Sequence, residues 1–134
     1  IINSPSNPTG GIIPKEEIDK LIEGLENHPN TMLMSDEIYD QFCFGETRFT
    51  SLLNYPSIRD RLIILNGWSK TYAMTGWRLG YIGAPNWIAS ACTKIQGQFT
   101  SGASSISQRA ALAAVSEDPK VVIPMKNAFL ERRN

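Results

Sequence analysis

Cysteine, histidine and net charge are all scarce in this 134-residue chain. Cys43 and Cys92 are its only cysteines, they form no CxxC pair, and His28 is its single histidine. That composition argues against a disulfide framework and against a Cys/His zinc site, and it fits a reducing, cytoplasmic compartment. Thirteen basic side chains balance thirteen acidic ones, which disfavours nucleic acid or an anionic membrane as a partner recognised by bulk charge. No apolar run approaches the roughly 20 residues that span a bilayer. The start, Ile1-Ile2-Asn3-Ser4-Pro5, has neither a signal-peptide pattern nor an initiator methionine. Repeats, low-complexity linkers and the glycine fingerprints of nucleotide-binding loops are absent too.

What remains is a globular composition, 42% apolar and 19% charged, which excludes a disordered polyampholyte. Short apolar runs alternate with helical patterns, as expected for α/β architecture with a mostly parallel sheet and crossover helices. Ile1-Ile2 reads as the end of a strand, followed by a loop from Asn3 to Gly11. Pro14 and the acidic pair Glu16-Glu17 suit the first turn of a helix. Ile18, Leu21, Ile22 and Leu25 form its apolar stripe, and His28-Pro29 ends it. Met32 to Met34, Leu62 to Leu65 and Leu79 to Gly83 read as strands, the first of them buried on both faces. Pro85 opens a helix towards Gln96. Ser105 and Gln108 form a capping box before Ala110 to Ala114, and Asp118-Pro119 caps a last helix that Pro124 should break or kink. Both chain ends read as cuts from a longer protein.

Open parallel sheets bind ligands beyond the carboxyl ends of their strands. Asn7, Asp36, Tyr39, Ser69 and Lys70 all fall there, and an amide, an acid, a phenol and an amine point to an organic cofactor more than to a metal. Three motifs sharpen this: Asn7-Pro8-Thr9-Gly10, Asp36-Glu37-Ile38-Tyr39, and Ser69-Lys70-Thr71-Tyr72-Ala73-Met74-Thr75-Gly76-Trp77-Arg78-Leu79-Gly80-Tyr81. In letters, order and spacing the set resembles class I/II aminotransferases, fold-type I enzymes dependent on pyridoxal phosphate (PLP). The likeness is greatest to the aspartate and aromatic aminotransferase branch.

The resemblance implies a three-layer sandwich. Residues 1–134 would be the middle and end of the large, PLP-binding domain, with its N-terminal part and a C-terminal small domain lying outside the chain. It implies transfer of an amino group between an amino acid and a 2-oxo acid by a homodimeric parent, with the isolated piece inactive. Lys70 resembles the Schiff-base lysine, an amine that also shuttles a proton. Asp36 resembles the carboxylate that keeps the pyridine nitrogen protonated and the ring a good electron sink. Asn7 and Tyr39 resemble the donors to the phenolic oxygen. Arg78, eight residues after Lys70, resembles the phosphate-binding arginine, whose fork grips two oxygens, and Ser69 offers a hydroxyl to the same phosphate.

Blander readings stand beside these: Asp36 as a helix cap, Asn7 as a turn residue, Tyr39 as a core aromatic, Lys70 and Arg78 as surface charges, and Ser69 as a turn hydroxyl. Gly67 departs from the pattern, because many relatives place a phosphate-binding serine there. Ser101-Gly102-Ala103 lacks an asparagine that many relatives carry near the partner subunit's site. Trp68 is bulky and is expected to narrow the pocket. Trp77, Trp87 and Phe99 read as core or interface aromatics, Cys43 and Cys92 as buried and inert, and His28 as a solvated cap. The same core motifs would also serve a PLP-dependent carbon–sulfur lyase or cyclase, or the PLP-sensing effector domain of a transcription regulator.

Overall fold

Four short strands, Ile2–Asn3 (β1), Leu33–Asp36 (β2), Leu62–Gly67 (β3) and Gly80–Gly83 (β4), hydrogen-bond side by side in chain order. β1, β2 and β3 are parallel, and β4 closes the edge antiparallel to β3. The computed structural model describes residues 1–133. Four α-helices accompany the sheet: α1 (Lys15–Leu25), α2 (Asn86–Phe99), α3 (Ser105–Ser116) and α4 (Ile123–Arg133). The architecture is the α/β class read from the alternation of runs, with one antiparallel edge strand.

α1 is the crossover between β1 and β2. Its 11 residues would be marginal as an isolated helix, so its stability comes from packing. Ile18, Ile22 and Leu25 are buried against Leu33, Leu62 and Ile64 of the sheet and against Leu52 and Ile58, and each such side chain contributes about 2 kcal/mol. Leu21 falls outside the stripe expected for it and is 37% exposed. At the helix end the cap comes from Arg61, not from His28. Its guanidinium donates to the carbonyls of His28 (2.7 Å) and Leu25 (3.1 Å), which also accept from the Thr31 and His28 backbone amides.

β2 is not buried on both faces. Leu33 and Ser35 are buried on the α1 side, whereas Met34 and Asp36 on the other side are only half-buried, and Met32 precedes the strand and is exposed. The row Asp36, Leu65 and Ile82 crosses that second face in register. It borders an open cleft of about 860 Å³ whose far wall is α2. Leu79 lies just before β4. α3 starts after Ser104, which makes no side-chain cap bond, and the Gln108 amide donates to the Ala103 carbonyl at 2.8 Å. No reciprocal capping box forms. Asp118 does cap, accepting from the Lys120 amide, and Pro124 splits the last segment into a 3-10 turn (Pro119–Val122) and α4. Trp77, Trp87 and Phe99 are not core residues, with Phe99 83% exposed. Neither cysteine is buried: Cys92 is exposed and Cys43 half-buried.

Candidate active site at the strand ends

The loop after β1 is tied down by its own polar groups. The Asn3 side chain accepts from the Asn7 amide at 2.9 Å, the Ser4 hydroxyl accepts from the Ile13 amide at 3.0 Å, and Ser6 and Gly11 pair at 2.9 Å. Gly10 closes the turn onto the Ser6 carbonyl at 2.7 Å with φ +71°, a left-handed conformation that glycine adopts without strain. So fixed, Asn7 extends its exposed side-chain amide to the Tyr39 hydroxyl, Nδ2 to Oη 3.3 Å.

Tyr39 sits in the turn that follows β2. The Lys70 ammonium lies over its ring, Nζ 5.6 Å from the centroid, a cation–π distance. Lys70 follows β3 in a turn held by Tyr72 N–H to Trp68 O at 3.1 Å and Ala73 N–H to Lys70 O at 3.2 Å. Ala73 is left-handed there, with φ +53°. Three residues from three strand ends thus meet at one ring. Tyr39, Phe42 and Phe44 separate two adjoining clefts: one of about 710 Å³ holding Asn7, and one of about 580 Å³ holding Ser69, Lys70 and Thr75.

Asp36 stands apart. Its half-buried carboxylate faces the 860 Å³ cleft, together with Asn66, Tyr81 and Ser101. Oδ1 accepts from the Ile38 amide at 3.2 Å, so Asp36 caps a turn, where a helix cap was the bland expectation. Burial, and then the charges of Asp40 and Glu37, hold the Tyr81 phenol above its ordinary pKa. Arg78 is exposed and left-handed at φ +55°, lines none of these clefts, and donates to the Thr75 carbonyl at 3.2 Å on the rim of the Lys70 cleft. Trp68 does not narrow that cleft. It points towards Gln108 and Leu112 of α3 and meets Tyr81 edge-on at 5.4 Å. Gly67 is dictated by packing: a Cβ there would lie 2.9 Å from both Gly80 Cα and the Leu79 carbonyl.

Sequence reasoning does not single out three contributors. Phe129 and Arg133 of α4 line the Lys70 cleft, Phe129 meeting Phe42 edge-on at 5.3 Å. No local pattern could place the last helix there. Glu37 is only 3% exposed, and its carboxylate accepts from the Ser35 and Ser51 hydroxyls (3.1 and 2.7 Å) and the Leu52 amide (3.1 Å). Its place inside the Asp36–Tyr39 motif was the available signal.

The donor set suits PLP at the polar end of the ring, where Asn7, Tyr39 and Lys70 converge. Ser69 offers a hydroxyl in the Lys70 cleft, Arg78 bonds to Thr75 at its rim, and Asp36 faces the separate 860 Å³ cleft. Among the described residues no group of three or more His, Cys, Asp or Glu could hold a metal ion, and no helix is long and apolar enough to cross a membrane.

Residues 1–134 match the model of the family described as aminotransferase class I and II. A bifunctional aspartate aminotransferase and glutamate/aspartate-prephenate aminotransferase of Petunia hybrida is 46% identical over the whole chain, which covers 29% of that protein. An aspartate/prephenate aminotransferase of Nitrosomonas europaea is 42% identical over 98% of the chain, which covers 34% of it. Among solved structures, an aspartate aminotransferase of Rhizobium meliloti superposes with a TM-score of 0.94 at 37% identity. The match covers 98% of this chain and 33% of that one. An aromatic aminotransferase of Pyrococcus horikoshii gives 0.93 at 35% identity, covering 98% and 36% respectively. The chain therefore spans about a third of the length of the relatives it matches. With the motifs in register over its whole length, it belongs to the class I and II aminotransferases.

Proposed function

We propose that the chain forms the middle and end of the large domain of a PLP-dependent aminotransferase that moves an amino group between an amino acid and a 2-oxo acid. The relatives' names point to a dicarboxylic amino acid such as aspartate as a substrate. The parent protein is proposed to be a cytoplasmic homodimer, with the rest of the large domain and the small domain supplied outside these residues. One observation carries the reading: Asn7, Tyr39 and Lys70, from three separate strand ends, converge on one phenol ring.

Bound there, the pyridine ring of PLP would supply an electron sink for breaking the bond between the substrate carbon and its hydrogen. Lys70 Nζ would be the amine that holds the cofactor aldehyde and the group that takes and returns the substrate proton. Asn7 Nδ2 and Tyr39 Oη would donate to the cofactor's phenolic oxygen and favour its anion. The Asp36 carboxylate, at the end of β2 on the second face of the sheet, is the acid that would hold a proton on the pyridine nitrogen. Arg78 would grip the phosphate, and Ser69 would add a hydroxyl to it. With Gly67 lacking a side chain, that hydroxyl replaces the serine common in relatives.

The test is covalent mapping in the full-length protein that contains this chain. Incubation with PLP followed by borohydride should fix one equivalent of pyridoxyl label at Lys70, located by mass spectrometry. Label on another lysine, or spread evenly over several, would overturn the reading.

A further inference from the structure

We infer that Glu37 is a positioning residue for the candidate site: its buried carboxylate closes the base of the 38–50 loop and so holds Tyr39 against Lys70. The inference rests on the proposed function only for what Tyr39 and Lys70 do.

The loop leaves the sheet at Glu37, whose amide donates to the Leu65 carbonyl of β3 at 2.9 Å. It returns at Ser51 and Leu52, which the Glu37 carboxylate ties back to the point of departure. Oε2 accepts from Ser51 Oγ at 2.7 Å, and Oε1 accepts from the Leu52 amide at 3.1 Å. Ser35 Oγ, on the strand itself, is the third donor at 3.1 Å. A carboxylate buried to 3% exposure is costly unless its lone pairs are filled, and three donors fill them. Between these anchors the chain carries Tyr39, Phe42 and Phe44, the wall shared by the Asn7 and Lys70 clefts. The first turn of the loop is set from Glu37 as well, because the Asp40 amide donates to its carbonyl at 3.0 Å. The Glu37 side chain bonds to no group proposed to bind substrate or cofactor. Its effect reaches the cleft through Tyr39.

The distance from Lys70 Nζ to the Tyr39 ring gives a readout independent of the cofactor. Lysines are tagged by reductive methylation with ¹³C-formaldehyde, and the Lys70 signal is identified by its loss in Lys70→Arg. In the unsubstituted protein that signal should be displaced upfield by the ring, and Tyr39→Leu should abolish the displacement. Glu37→Ala should abolish it too while the far-ultraviolet circular dichroism is retained. Glu37→Gln, which keeps an acceptor oxygen and the side-chain length, should restore it. An unchanged Lys70 displacement in folded Glu37→Ala overturns the inference, as does a Lys70 signal with no Tyr39-dependent displacement. If Glu37→Ala does not fold, Ser51→Ala decides instead: a diminished displacement supports the inference and an unchanged one overturns it. Because no PLP is present, failure of Lys70 to take the pyridoxyl label would count against the proposed function and leave this result standing.

Discussion

Gly67 shows how one missing side chain fixes a local geometry. It pairs with Gly80 across the antiparallel edge, and the two backbones approach so closely that a Cβ at 67 would meet Gly80 Cα and the Leu79 carbonyl at 2.9 Å. Both atoms are backbone and cannot rotate away. Gly67→Ala should therefore destabilise the protein by about 1–3 kcal/mol, the usual cost of overpacking, read as a lower urea midpoint with unchanged slope. At this scale the sequence was legible where chemistry follows a strand end. Motif and position single out Asn7, Tyr39 and Lys70, which are found together, whereas Asp36, also at a strand end, faces a different cleft. Glu37 is not singled out, because burial and partners 14 and 15 residues away leave no mark in a local pattern. Cys43 and Cys92 were misjudged for the same reason: apolar neighbours in sequence do not guarantee cover in space.

Among the elements, α1 shows how a short helix is pinned from both ends. Arg61 closes its C-terminus, and a three-membered cluster holds its first turns. Lys15 Nζ lies 2.7 Å from the Asp19 carboxylate, which also accepts from the Tyr55 hydroxyl at 2.6 Å. The bond from Lys15, and then that from Tyr55, lower the Asp19 pKa below its ordinary 3.8. That contribution is present above the unfolded value and is lost as pH falls through the folded one. Lys15 is raised from 10.5, chiefly by its bond to Asp19, and Tyr55 is raised from 10.0, chiefly by burial. Their contributions are complete below the unfolded values and vanish as pH rises through the folded ones. The difference in urea midpoint between the protein and Asp19→Asn should thus be flat from about pH 5 to 9 and shrink on either side. Exposed charges are screened, so added salt should reduce it. The helical period predicted α1 well because one face is fully covered. It misplaced Leu21 because the covered stripe is narrower than the apolar one.

The molecule as a whole is lopsided. The α1 side of the sheet holds the continuous core, while the other side opens into the Asp36 cleft, and α2 and α3 carry Trp87, Phe99 and Ile106 at 65%, 83% and 73% exposure. Large apolar side chains exposed to this degree favour association. The 134-residue chain should self-associate in sedimentation velocity, and Ile106→Asp should shift it towards the monomer. Position 106 is the second residue of α3, where a carboxylate suits the helix dipole, so the substitution should spare the fold. Sequence patterning could not reveal this imbalance, since an apolar helix face reads the same whether or not a neighbour covers it. It did reveal the class of architecture, because alternating runs and helices depend only on local order.

The clasp beneath the 38–50 loop separates two jobs along the chain. Tyr39 lies close to the fixed base, whereas Gly45 to Arg48 form an exposed tip. Lengthening a flexible loop is cheap, about 0.6 kcal/mol for each doubling. Insertions and deletions at the tip should therefore accumulate during divergence without displacing the phenol, and the rim of the Asn7 cleft, which includes Gly45 and Thr47, becomes the ground on which related proteins can come to differ.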